Sequence, residues 1–149
     1  MKGISPQQLE EILAEHGKWL TGKGGKRANL SGMDLSDRNL HGSNLSGANL
    51  SGALLGNANL THAGLSGADL SGADLSGANL KYAILSYTDL SGANLTHADM
   101  HNSDLTDAVL SGTTLDGAIL SGANLSGTDI FLANACTTDT IFSTSISFF

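Results

Sequence analysis

The chain is short of the residues that staple, anchor or catalyse. It has a single cysteine, Cys136, in 149 residues, which excludes an internal disulfide framework. No stretch of eighteen apolar residues occurs, and Glu10, Glu11 and Glu15 stand where a secretory hydrophobic region would be needed. Neither a membrane span nor a signal peptide is therefore expected, and a soluble cytoplasmic protein is the default expectation. Cations are scarce, with 7 Lys and Arg against 14 Asp and Glu, a formal net charge of −7. The balance is uneven. Residues 1–27 carry Lys2, Lys18, Lys23, Lys26 and Arg27 against three glutamates (+2), while residues 28–149 carry eleven aspartates against Arg38 and Lys81 (−9). A binder of duplex nucleic acid needs a basic footprint, so direct nucleic-acid binding is not expected. No catalytic set is visible either. The serines follow a repeat, the histidines are scattered, and Cys136 has no neighbouring His or Asp to activate it. The reading is of a protein that is not an enzyme and has no cofactor or metal site.

What the chain has is a period. From Ala28 to Leu132 it repeats every five residues, as in Ala48-Asn49-Leu50-Ser51-Gly52 and Ala68-Asp69-Leu70-Ser71-Gly72. The third place is Leu at every multiple of five from Leu30 to Leu125 except Met100, and Ile130 closes the array. A period of five matches neither the 3.6-residue helix nor the two-residue strand, so the chain must turn once per unit to keep its leucines on one face. Four short sides close a coil of twenty residues, placing Leu30, Leu50, Leu70, Leu90 and Leu110 in one inward column. Rungs then stack at roughly 4.7–4.9 Å. The small residue two places before each leucine, most often Ala, fills the rest of a narrow interior. Leu-Ser-Gly-Ala suits a type II turn with glycine at the φ > 0 position. Burying one leucine contributes about 1.5–3 kcal/mol, so the repeated column is a substantial core whose open ends need caps.

The A(D/N)Lxx units closely resemble the pentapeptide repeat proteins of bacterial type, over residues 28 to about 132. The resemblance implies an all-β solenoid, a right-handed quadrilateral β-helix of pentapeptide repeats with four pentads per coil. In that family the leucine and the residue two before it point inward and the other three places face solvent. The repeat length gives about five to six coils, roughly 25 Å long at strand spacing. Domain limits follow from the same register: 1–27 as a capping helix and Gly/Lys linker, 28–132 as the β-helix, and 133–149 as a degenerate last coil with an apolar tail.

The flanks are read separately. Ser5-Pro6-Gln7-Gln8 is a helix start with a capping box, and Leu9, Ile12, Leu13, His16 and Leu20 make an apolar stripe. This N-terminal α-helical cap, with Trp19, should cover the first coil, where Met33 and Arg38 are oversized for inward places. Lys23-Gly24-Gly25-Lys26 lacks the P-loop spacing and reads as a hinge or linker. At the other end, three readings stand for Phe142, Ile146, Phe148 and Phe149: they fold over the last coil, meet the same tail of another subunit to give a homodimer, or belong to a disordered tail.

Any function must lie where the repeat is broken. Folded on twenty-residue coils, His62, Tyr82 and Asn102 fall in one column, flanked by Ile84, Tyr87 and His101. Tyrosine is enriched at recognition surfaces, so these six residues form a candidate partner-binding edge, the alternative being neutral variation on a tolerant surface. Asp69, Asp89 and Asp129 form a candidate acidic column. His41 and His101 are three coils apart, about 14 Å, too far to share a metal.

Two functions follow. The first is a non-enzymatic protein-interaction scaffold with an unidentified protein partner and no membrane attachment. The second comes from the resemblance: some pentapeptide repeat proteins mimic duplex DNA and bind type II topoisomerases such as DNA gyrase. Those examples are typically dimers joined at their carboxyl-terminal ends, which Phe142, Phe148 and Phe149 allow. DNA carries one charge per about 1.7 Å, or roughly fifteen over the solenoid's length, against the −9 counted here. The chain also lacks the inserted loops that some such proteins use on gyrase.

Overall fold

The structure, a computed structural model, describes residues 2–134, so Cys136 and the tail residues Phe142, Ile146, Phe148 and Phe149 lie outside the described residues. Parallel bridges join second-place residues twenty apart, from Asn29 with Asn49 through to Asp104 with Asn124 and Thr114 with Asn134. That register defines a solenoid of four-sided coils. The first side of each coil is centred on Leu30 and its equivalents, the second on Leu35, the third on Leu40 and the fourth on Leu45.

A pentad with Asn or Asp at its second place pairs every backbone donor. The leucine N–H donates to the second-place carbonyl one coil on, as Leu50 does to Asp69 at 2.7 Å, and the fifth-place N–H donates to the fourth-place carbonyl, as Gly52 does to Ser71 at 2.8 Å. The second-place N–H reaches back one coil, Asn49 to Ala28 at 3.0 Å, and the first-place N–H closes the corner on the leucine three residues before it, Ala48 to Leu45 at 2.9 Å. The fourth-place N–H finds the second-place side chain instead. Ser51 donates to Asn49 Oδ1 (3.0 Å), Ser71 to Asp69 Oδ1 (3.0 Å) and Thr106 to Asp104 Oδ1 (3.0 Å). All five donors are then paired, which a buried or stacked backbone requires. The Asn or Asp of the consensus is therefore a turn-forming residue, a role that simple outward orientation does not reveal.

Fifth-place residues hold the corners at φ > 0, for example Gly52 at 62° and Gly72 at 63°, and the fourth-place residues do not. With the bond from the first-place N–H to the leucine carbonyl, this is the type II pattern. Inside, the leucines are almost wholly buried and the first-place alanines fill the gaps between them. Where a buried first-place hydroxyl replaces alanine it is paired: Thr88 Oγ1 donates to the Leu65 carbonyl (2.8 Å) and Thr113 Oγ1 to that of Leu90 (2.7 Å).

At the amino-terminal end, β1 (Lys2–Gly3) pairs in parallel with β2 (Met33–Asp34), and α1 spans Pro6–Leu20. Both halves of the capping box form: Gln8 N–H donates to Ser5 Oγ (3.1 Å) and Ser5 N–H to Gln8 Oε1 (3.0 Å). Leu9 is buried, while Ile12 and Leu13 pack against the core. Arg38 avoids the narrow interior by donating from Nη2 to the Ile4 carbonyl at 2.8 Å. Trp19 meets the first coil at its last corner, with its ring edge at Gly47; it is stacked on His16 at 5.3 Å and stays 42% exposed. Two sequence expectations need correction. Leu20 is only half-buried. The Lys23–Lys26 segment is no loose linker. Gly22 N–H donates to Trp19 and Lys23 N–H to Lys18, a Schellman ending, and Lys26 N–H returns to Glu15 at 3.2 Å. A Cβ on Gly25 would come within 2.2 Å of the Glu15 carbonyl, so that glycine is required by close approach as well as by its φ of 78°.

Candidate interaction surface

The fifth place decides what each corner displays, because all fifth-place residues from residue 32 to residue 127 have φ > 0. Glycine adopts this conformation freely, whereas an L-residue loses roughly 1–2 kcal/mol there, with Asn and Asp the best tolerated. The third corner runs Gly42, His62, Tyr82, Asn102, Gly122, and the fourth runs Gly47, Gly67, Tyr87, Asp107, Gly127. His62 (57°), Tyr82 (57°) and Tyr87 (59°) thus hold a backbone that glycine suits better.

Along the third corner the rings meet. His62 and Tyr82 stack face to face, with centroids 5.0 Å apart and planes 7° from parallel. His41 stands edge-on to His62 at 5.7 Å, and its Nδ1 shares a hydrogen bond with Thr61 Oγ1 at 2.6 Å. Asn102 occupies the same corner one coil beyond Tyr82, and the His101 carbonyl accepts the Tyr82 N–H at 3.0 Å. Across the fourth side, Ile84 stands between Tyr82 and Tyr87. All three are exposed, Tyr87 by 68%. Ile84 also forgoes the local turn bond, since its side chain offers Ser86 no acceptor where Asp104 serves Thr106 one coil on. One row therefore departs three times from the cheapest residue for its backbone.

The acidic column is divided. Asp69 and Asp89 are bridged neighbours, and each gives one carboxylate oxygen to the turn, to Ser71 N–H (3.0 Å) and Ser91 N–H (2.9 Å). Val109, 42% exposed, separates them from Asp129. Asp129 Oδ1 takes the Leu110 N–H, the bond its own carbonyl would otherwise accept, and a 3-10 turn at Ile130–Leu132 follows. The three aspartates do not form one continuous acidic surface, because Val109 stands between Asp89 and Asp129.

Two features were not legible in the sequence. Trp19 reaches the fourth corner, and Arg27 Nε donates to the Gly47 carbonyl beside it. An open groove of about 650 Å³ lies between α1 and the first coil, lined by residues including Ile4, Ile12, Glu15, Arg27, Ala28 and Met33, and it holds none of the edge residues. No cluster able to hold a metal ion occurs among the described residues.

Repeated coils, inward leucines and Asx-turned corners define a solenoid whose chemistry is confined to its outer faces. Residues 39–77, 73–112 and 104–134 match the profile of the pentapeptide repeats, in eight copies and over more than half of the chain. The chain belongs to the pentapeptide-repeat family. The crystal structure of Rfr23, a pentapeptide repeat protein from the cyanobacterium Cyanothece 51142, is 28% identical, with a TM-score of 0.62 over 82% of this chain and 88% of that one. A pentapeptide repeat protein of the Arabidopsis thaliana thylakoid lumen is 36% identical, with a TM-score of 0.59 over 60% of this chain. The match spans 62% of the Arabidopsis chain, a little under two thirds of its length. These neighbours imply a right-handed β-helix. QnrB1, a plasmid-mediated fluoroquinolone resistance protein, aligns at 18% identity and a TM-score of 0.49 over 83% of this chain and 65% of that one, a likeness that carries no functional argument. No curated protein matches the chain.

Proposed function

We propose that this chain is a non-enzymatic protein-interaction scaffold, a solenoid of five full coils and the start of a sixth under an α-helical cap, which binds a partner protein through the edge formed by His62, Tyr82, Ile84 and Tyr87, with His101 and Asn102 beside it. One observation carries the reading. Tyr82 and Tyr87 occupy left-handed corners and Ile84 displaces a turn-forming Asn or Asp, so the row is kept against local stability, as binding residues are. The test is a pull-down from the native host with the unaltered chain and a Tyr82→Gly, Tyr87→Gly variant of at least equal thermal stability. Loss of specific partners from the variant supports the edge; an unchanged set overturns it.

Self-association belongs to the same proposal. Phe131 and Leu132 are 89% and 62% exposed where the last coil ends, the apolar end surface that a solenoid must cover. Phe142, Ile146, Phe148 and Phe149 supply more of that chemistry. Sedimentation should give twice the chain mass; a monomer at high concentration removes the dimer. Binding to a type II topoisomerase through DNA mimicry has less support, because the −9 charge of residues 28–149 falls short of the roughly fifteen that duplex DNA carries over the solenoid's length. An unchanged gyrase supercoiling assay at micromolar protein removes it.

A further inference from the structure

The row Tyr82, Ile84 and Tyr87 separates two unlike strips of the fourth side. Toward the amino-terminal end lie Gly64, Ser66 and Gly67. No atom comes within 4 Å of a Cβ placed on Gly67, and the nearest atoms to one on Gly64 belong to the Asn44 and Ser46 side chains, from 3.4 Å. This is a bare furrow with an apolar wall. Toward the carboxyl-terminal end lie Asp104 and Asp107. Asp104 gives one oxygen to the Thr106 N–H and hydroxyl, at 3.0 and 2.5 Å, and its other oxygen has no partner among the described residues; Asp107 is exposed. The cations of the repeat region are engaged elsewhere, Lys81 with Asp99 at 3.0 Å and Arg38 with the Ile4 carbonyl.

We propose that the fourth side docks an extended segment of a partner protein in which a basic residue stands two positions from an apolar one. An apolar side chain sits over Gly64 and Gly67 against the tyrosine–isoleucine row, and a lysine or arginine pairs with Asp104 or Asp107. This rests on the reading of the row as a binding edge and adds the chemistry of what binds. Furrow and carboxylates are two rungs apart, about 9–10 Å, while same-face residues of an extended chain are about 6.6–7 Å apart. The flexible stem of a lysine or arginine covers the difference. The −9 charge of residues 28–149 draws such a segment in and opposes an acidic one.

Fluorescence anisotropy on the full chain tests this with a nine-residue peptide of leucine and arginine in turn at every second position, with threonine between, beside analogues with every leucine replaced by serine or every arginine by glutamate. The arginine–leucine peptide should bind about tenfold more tightly than either analogue. Tyr82→Gly, Tyr87→Gly should weaken it about tenfold, through loss of the apolar wall. Asp104→Asn, Asp107→Asn should weaken it about threefold to tenfold and flatten its salt dependence. The asparagine variant keeps the fold, because Asn44 and Asn124 make the same turn bond as Asp104 and Asn57 and Asn102 hold the same corner conformation as Asp107. Gly67→Asn, tolerated for the same reason, should block the furrow. Equal affinity for the serine analogue, or undiminished binding by the asparagine variant, overturns the assignment. Native partners lost by the tyrosine variant but retained by the asparagine variant also overturn it while leaving the edge standing. Peptide binding as expected, with no native partner dependent on the tyrosines, overturns the edge function instead.

Discussion

The first and third corners of this solenoid share one backbone and differ in nearly everything they show to solvent. The first is glycine throughout, Gly32, Gly52, Gly72, Gly92 and Gly112, with φ between 62° and 70°; the third places His62, Tyr82 and Asn102 between Gly42 and Gly122 at φ from 56° to 71°. The fold does not need the larger residues, since glycine closes the first corner in the same conformation. What the third corner gains is an aromatic stack and an exposed apolar row. The difference teaches where to look on a repeat protein: at places where side chains are held in a conformation that favours their absence.

The largest way to break the comparison is to damage what both corners share. Leu80 is fully buried two residues before Tyr82, and Leu80→Ala should lower stability by about 2–5 kcal/mol in urea unfolding. Next is the exchange of residues between corners. Gly72→Tyr should destabilise by about 1–2 kcal/mol, a purely conformational loss because no atom lies within 4 Å of the new Cβ. Tyr82→Gly should recover part of the same quantity, reduced by the lost stacking on His62. If Gly72→Tyr is neutral, backbone strain does not mark the edge. Ile84→Asn should add about 0.5–1.5 kcal/mol, by giving Ser86 N–H the acceptor that neighbouring pentads have, while abolishing the apolar row.

The smallest expected effect separates the cap from the corners. His16 is fully buried, its Nδ1 accepts the Ala28 N–H at 3.1 Å, and Nε2 has no hydrogen-bond partner. Burial holds its pKa below the ordinary histidine value, with the Ser46 carbonyl acting in the opposite direction. The unfolded chain therefore takes up this proton first as pH falls. Stability from neutral His16 is fully present above about pH 6.5, the unfolded value, and declines as pH drops toward the folded value. His16→Gln should flatten the stability profile in that window, and Tyr82→Gly should leave its slope unchanged. A slope unaffected by His16→Gln would assign the acid response to other groups.

Much of the architecture was legible because the pentad is redundant. One substitution, such as Met100, cannot obscure a period carried by nineteen leucines. The grouping of His62, Tyr82, Ile84 and Tyr87 was likewise arithmetic on a twenty-residue coil. The rest depended on contacts that no period encodes. Trp19 belongs to the helix stripe by spacing but lies at the Gly47 corner, because the Schellman ending at Gly22 and Lys23 turns the chain away there. Asp129 shares a register with Asp89, yet its side chain takes the place of its own carbonyl as acceptor for Leu110.

By itself, the sequence determined the coil: the spacing of leucine, alanine and glycine leaves one way to bury the first two and turn on the third. It determined too which residues share a corner, since position modulo twenty is position on the surface. The tertiary structure decided what those residues cost and what they can reach. Only the folded structure shows that Tyr82 and Tyr87 sit at φ near 58°, that Asp104 keeps a carboxylate oxygen free of the turn, and that Gly64 and Gly67 leave open space beside the tyrosine–isoleucine row. The physical reason is that burial follows from local pattern repeated many times, whereas strain and vacancy are properties of particular neighbours brought together from different coils.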